Sequence, residues 1–316
     1  MLSLLFLPSQ SGCQFWRRAG VSSSSIIASR QYVQEAVASL DGENTSEALR
    51  KLTQAVKANP ENYEARSMYA DLLWKSGNNE TAIIQKQLAV QHEDATAEMF
   101  VELAQMYYAT GEYPMAQRAL KQGLRLNTAS AAAWVLQGEI YEKQGKPEEA
   151  VAAYHQAVFC EPENMNAAMH LTDGYLAMGK PQRALEMAQF ARSRSTSGEG
   201  VSRLLYREGL AMTQLQRHAD AASVLAKAAN SARTMEEKAE LPQTLAALAS
   251  AQYHAGQRED AILTAQRGVD LAPENTQCAA LLQQWKAPDG ILAEVQPQYG
   301  NNAQALVEEL PSTKEP

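Results

Sequence analysis

Gly174 to Lys180 has the spacing G-x-x-x-x-G-K of a loop that cradles phosphates. That chemistry needs a Ser or Thr after the lysine to hold magnesium, and a strand ahead of the loop. Pro181 occupies the first place and helical periodicity fills the second, so nucleotide binding is not expected. The five histidines, His92, His155, His170, His218 and His254, are scattered. None has a second ligand at helical spacing, so surface or satisfied core roles are expected rather than metal binding. Neither G-x-S-x-G nor H-E-x-x-H occurs, and no catalytic residue, metal or cofactor is expected. Cys13, Cys160 and Cys278 lack paired spacing, which excludes a zinc site or a disulfide framework. Cys160 reads as a small buried apolar residue late in a helix. Asn44-Thr45-Ser46 and Asn79-Glu80-Thr81 have the glycosylation spacing, but each sits where a helix cap is wanted.

Cys13 has one further chemistry, lipidation. Residues 1–34 contain no acid, and the chain opens with the apolar run MLSLLFLP. Ser11 and Gly12 directly precede Cys13, similar to the cleavage box after which a bacterial lipoprotein carries its lipid on cysteine. The fit departs in two places: no Lys or Arg precedes the apolar run, and Gln10 stands where Leu is preferred. Arg17, Arg18, Arg30 and the Ser22–Ser25 run suit a second reading, an organellar transit peptide. A disordered N-terminal tail is the third. Residues 1–28 are assigned to this segment. No other stretch approaches the ~20 apolar residues that a membrane span requires.

The elements that would position any site are clearest over 131–164. Trp134, Leu136, Ile140 and Tyr141 recur along one side of a helix. Gly138 among them lets another helix approach closely. Gly145 follows Lys143 and Gln144 as a helix stop, because glycine takes the left-handed conformation without a Cβ clash. Pro147, Glu148 and Glu149 suit the first turn of a second helix, whose apolar stripe is Ala150, Tyr154, Ala157 and Val158. Pro162 ends it. Tyr141 is expected to lie buried between the two helices.

A shift of 34 residues superposes this unit on its neighbours. Gly145 meets Gly77, Gly111 and Gly179; Ala150 meets Ala48, Ala82, Ala116 and Ala184. Tyr141 meets Tyr107 and Tyr175, Ala157 meets Ala55, Ala89 and Ala191, and Pro162 meets Pro60. At Trp134, Gly138, Tyr141, Gly145, Ala150, Tyr154, Ala157 and Pro162 the chain resembles the tetratricopeptide repeat (TPR) family. The resemblance covers residues 29 to 275 and implies an all-α, right-handed α-solenoid of helix-turn-helix repeats. The repeats read as 29–62, 63–96, 97–130, 131–164, 165–198, 202–235 and 242–275. The first helix of the first repeat is expected over Gln31 to Leu40. The period slips around Ser193–Glu199, and the sixth turn has Gln216 in place of glycine. Thr234 to Glu240 reads as an extension of an adjoining helix. Residues 276–286 read as a capping helix, and 287–316, with four prolines, two glycines and several acids, as a mobile tail in which Ala303 to Leu310 has helical character.

Net charge is −8 over 316 residues, which argues against nucleic acid as a partner. The resemblance implies a non-enzymatic scaffold whose first helices line a concave groove, with the second, fifth, ninth, twelfth and thirteenth positions of each repeat facing it. These are Glu64, Asp71, Trp74 and Lys75; Glu98, Gln105 and Tyr108; Glu139, Glu142 and Lys143; Asn166, Asp173 and Leu176; Arg203 and Tyr206; Tyr253 and His254. Acids prevail in the middle with aromatics among them, which suits a protein or peptide segment with basic or apolar side chains. The chaperone-type grip on a C-terminal carboxylate is not implied, since Val33, Val37 and Ser67 stand at matching positions. The expectation is a scaffold at the bacterial cell envelope, touching membrane only through a lipid on Cys13. The alternatives are a soluble or organellar assembly factor or co-chaperone adaptor, and a regulatory array of a larger enzyme complex.

Overall fold

The computed structural model describes residues 22–195, 200–232, 234–274 and 276–286. Cys13, the leader segment up to residue 21 and the 287–316 tail lie outside these residues, as does much of the 193–199 insertion. The described residues are all-helical, with no strand among them. α1 (Ser23–Asp41) is followed by α2 (Thr45–Ala58), α3 (Tyr63–Lys75) by α4 (Asn79–Ala89), and α5 (Ala97–Ala109) by α6 (Tyr113–Leu126). Then come α7 (Ala131–Lys143) and α8 (Pro147–Cys160), α9 (Met165–Ala177) and α10 (Pro181–Arg194), and α11 (Val201–Gln214) and α12 (His218–Ser231). A short α13 (Met235–Ala239) precedes α14 (Leu241–His254), α15 (Arg258–Leu271) and α16 (Thr276–Lys286). No helix among the described residues is long and apolar enough to cross a membrane.

The turns explain the repeat. Gly77, Gly111, Gly145, Gly179 and Gly256 have φ of 83°, 80°, 68°, 64° and 84°. The next amide then donates back across the helix end, as from Lys146 N to Tyr141 O at 2.9 Å and from Lys180 N to Tyr175 O at 2.9 Å. This is the hydrogen-bonded helix stop that glycine favours. The turns without glycine keep the same geometry: Glu43 has φ 58° and Gln216 φ 60°, and Arg217 N still reaches Met212 O at 2.9 Å. The helix starts are set by short polar side chains. Asn62, Ser130 and Asn164 accept the amides of Ala65, Ala133 and Ala167 at 2.9, 3.3 and 3.0 Å.

By contact the chain divides into two compact units, Met1–Met106 and Tyr107–Pro316. The first has a core of Ala36, Ala48, Leu52 and Leu72, with Met68 and Tyr69 against it. The second is built around Tyr154, Leu171, Leu204, Leu225 and Leu245, each at most 1% exposed. Small residues let the helices close on these side chains. A Cβ at Gly138 would lie 2.4 Å from the Tyr154 ring, and one at Gly209 2.4 Å from Leu225 Cγ.

Four expectations are corrected. α1 begins at Ser23, capped by Ser22, not at Gln31. Its Ser29 is fully buried and donates to Ala55 O at 2.9 Å, so the leader boundary at residue 28 falls inside a packed helix. Residues 234–240 do not extend a neighbour. They form the separate α13, closed by a reciprocal cap in which Thr234 N donates to Glu237 Oε2 and Glu237 N to Thr234 Oγ1, each at 3.1 Å. Tyr141 is only half-buried; the fully buried tyrosine of that repeat is Tyr154. Cys160 is likewise only partly buried.

Candidate partner-binding face

Within the second unit, first helices of successive repeats bring charged and aromatic side chains into one continuous cluster. Tyr108 comes from α5, Glu139 and Glu142 from α7, His170 and Asp173 from α9, and Arg203 and Arg207 from α11. Tyr154 joins them from α8. Its ring stacks on His170, with centroids 4.9 Å apart and planes 17° apart.

A register rule accounts for the pairings. The ninth position of one repeat meets the sixth of the next. Asp173 thus receives Arg207, whose Nε and Nη2 donate to Oδ2 at 3.0 and 2.7 Å. Glu139 receives His170, with Nε2 to Oε1 at 3.6 Å. In the first unit the same two positions hold two acids, Asp71 and Glu102, and a buried lysine resolves the conflict. Lys86 Nζ lies 2.7 Å from Asp71, 2.6 Å from Glu102 and 2.7 Å from the Ser67 hydroxyl, and its side chain has no exposed surface.

The electrostatics of the second unit are uncompensated at α7. Desolvation by neighbouring side chains pushes both the Glu139 and Glu142 carboxyls above the usual range, although Glu142 keeps an exposed side. Asp173 and Glu139 push Glu142 further, while Lys143 and the nearby Tyr154 hydroxyl oppose the rise. The phenol of Tyr108 is pushed up to about 12, by burial first and then by Glu139, Tyr113 and Glu142. His170 is pushed down, chiefly by burial, so it is neutral near pH 7 and no counter-ion to Glu139. The Tyr154 hydroxyl is buried and, though near Glu142, has no partner at normal hydrogen-bond geometry. A buried polar group without a partner costs about 1–3 kcal/mol, and shifted carboxyls of this kind cluster at functional sites.

The groove residues expected from sequence fare differently. Tyr108, Glu139, Glu142 and Asp173 share the cluster, and Asn166 and Gln105 are exposed. Tyr206 is half-buried against the core. Asp71 is committed to Lys86, while Trp74 is half-buried and Glu64 and Lys75 are exposed. Three sit in other roles. Glu98 caps its own helix: its own amide and the Thr96 hydroxyl hold its carboxyl low. Leu176 is 6% exposed and belongs to the core. Tyr253 is covered by α16, whose Trp285 stacks on it at 4.6 Å with planes 4° apart. Sequence reasoning missed Lys86, Arg207 and the roles of Tyr154 and His170. The signal for Lys86 was there, since the repeat period puts it where Leu52, Leu120 and Tyr154 stand.

The family profile described as tetratricopeptide repeat matches residues 33–98, 101–165 and 173–235, more than half of the chain. No curated protein sequence matches. Among solved structures, a tetratricopeptide repeat protein from Parabacteroides merdae superposes with a TM-score of 0.56 at 14% identity, over 81% of this chain and 98% of that one. PilF of Pseudomonas aeruginosa gives 0.55 at 16% identity, over 65% and 91%. YrrB, described as a TPR protein with an unusual peptide-binding site, gives 0.50 at 16% identity, over 63% and 97%.

Proposed function

Because the chain belongs to the tetratricopeptide repeat family, a family of protein-binding scaffolds that are typically non-enzymatic, we propose that it holds a partner segment against the first-helix face of its second unit. One observation carries this reading: Glu139 and Glu142 are held beside Tyr108 and Tyr154 with their carboxyls raised and no Arg or Lys paired to them among the described residues. Such an arrangement costs stability in the free chain, and a bound donor recovers it. The peptide-binding site ascribed to YrrB supports the same class of ligand. The test is selection of random-sequence peptides on the full chain, with Glu139→Ala/Glu142→Ala as the counter-target. The reading expects segments that bind the native chain and not the variant. Segments that bind both equally would remove it.

We further propose that the array works at the bacterial cell envelope, tethered by a lipid on Cys13. The support is the Ser11-Gly12-Cys13 box after an apolar run. Mass spectrometry of the native N-terminus tests it: a diacylglycerol on Cys13 supports the tether, and an intact Met1 or a terminus without lipid removes it.

A further inference from the structure

We infer that the cluster of Glu139, Glu142, Tyr108 and Tyr154 is a socket for one guanidinium, an arginine side chain of the partner segment. This rests on the proposed first-helix face and names what it grips.

The first support is a comparison inside the molecule. Position nine of the fifth repeat is Asp173, and the next repeat supplies it with Arg207 through two contacts of 3.0 and 2.7 Å. Position nine of the fourth repeat is Glu139, and the equivalent place holds His170 at 3.6 Å, an imidazole that burial keeps neutral. Glu142, one turn further along α7, has Lys143 nearby but no cation paired to it among the described residues. The chain therefore supplies a guanidinium to one acid of this face and leaves the neighbouring pair without one.

The second support is independent of charge. The Tyr154 hydroxyl is itself buried, has no partner at normal hydrogen-bond geometry, and lies beside Glu139, Tyr108 and the exposed Glu142. A phenol oxygen both donates and accepts, so beside carboxylates its lone pairs are left for an incoming donor. The acceptors are spread over two carboxylates and a phenol oxygen. A guanidinium presents five donors in a planar fork and can reach several of them, where an ammonium is a compact point charge. The Tyr108 ring offers it a face. A metal ion fits worse, since no group of three His, Cys, Asp or Glu able to hold one occurs among the described residues.

Every element around the socket contributes to its charge. α5 gives Tyr108, α6 Tyr113, α7 Glu139, Glu142 and Lys143, α9 His170 and Asp173, and α11 Arg203 and Arg207. Protonation of either raised glutamate as pH falls removes a charge the guanidinium needs, so binding is lost on the acid side.

The test uses the full chain and three blocked pentapeptides, Ala-Ala-Xaa-Ala-Ala with Xaa as arginine, lysine or citrulline, titrated by calorimetry near pH 7 at low salt. Citrulline keeps the shape of arginine and drops its charge. The arginine peptide is expected to bind at least tenfold more tightly than the citrulline peptide, and more tightly than the lysine peptide. Glu139→Gln/Glu142→Gln should reduce the arginine peptide to the citrulline level while helical content by circular dichroism stays unchanged. His170→Arg, which supplies the guanidinium from within the chain, should also abolish the arginine preference. Equal binding of arginine and citrulline peptides, or an arginine preference that survives the double variant, would overturn the socket. Free L-arginine binding as tightly as the peptide would overturn the assignment to a partner segment. If library-selected segments need the first-helix face but contain no arginine, the socket fails and the proposed function stands; if no segment needs that face, both fail.

Discussion

A methyl group added at Gly138 has no space to occupy. Built on the backbone, its Cβ lies 2.4 Å from Tyr154 Cε1 and 2.7 Å from Cδ1 and Cζ. The Tyr154 ring cannot yield, because it is fully buried and stacked on His170 at 4.9 Å. Overpacking of this kind costs about 1–3 kcal/mol, and alanine recovers roughly 0.5–1 kcal/mol over glycine within a helix. Gly138→Ala should therefore destabilise by about 1–2 kcal/mol. The first repeat shows how the loss could be relieved: at the same two positions it places Ala36 and Leu52, both fully buried in one core. Tyr154→Leu introduced with Gly138→Ala should then cost less than the two single losses added, with a coupling of about 1–2 kcal/mol between these touching residues. Urea unfolding followed by circular dichroism measures the three variants. Hydrogen exchange in peptides from α7 and α8 localises the effect, since a repeat array can open in parts. A neutral Gly138→Ala, or strictly additive losses, would refute the reasoning that Tyr154 fills the space glycine leaves.

Gly145 tests the turn rather than the core: nothing lies within 4 Å of a Cβ placed there, but its φ is 68°. Gly145→Ala should cost about 1–2 kcal/mol, the left-handed penalty alone, and an unchanged unfolding midpoint would show that the turn relaxes. Lys86→Met removes a fully buried cation from three partners. The loss should be about 2 kcal/mol, less than the 3–5 kcal/mol of a fully buried pair, because Asp71 and Glu102 are 39% and 44% exposed and can rehydrate. A stabilised variant in thermal unfolding would contradict this. Glu142→Gln should stabilise the chain at neutral pH. A carboxyl raised in the folded state favours folding below its unfolded pKa and loses that contribution as pH rises through the folded one. The gain should vanish near pH 4, and a loss at pH 7 would mean that Glu142 is a structural acid.

Much of the fold was legible because the repeat is written in residues that physics constrains tightly. Glycine at the turns, alanine at the helix crossings and proline at helix starts recur at one period because few others fit those backbones. The same logic failed where the chain satisfies the geometry with an unfavoured residue. Gln216 holds a left-handed turn without glycine, and Ser22 starts a helix inside a stretch that composition assigned to a leader. The site was legible only in part. Position within a repeat placed Glu139, Glu142 and Asp173 near one another, but it said nothing of what neutralises each. Asp173 is paired to Arg207 of the next repeat and Asp71 to Lys86 of its own second helix, contacts that become visible only when the helices are packed. Tyr154 looked like core because it is core; its unpaired hydroxyl is a property of the neighbours, not of the residue.

The most direct measurement places a photo-crosslinking side chain on each side of a helix pair and captures the native partner. With the probe at Asn166, exposed on the first helix α9, the account predicts a covalent adduct that Glu139→Gln/Glu142→Gln diminishes. With the probe at Phe159, 82% exposed on the second helix α8, it predicts none. Adducts at Phe159 alone, or adducts at Asn166 indifferent to the two glutamates, would contradict it.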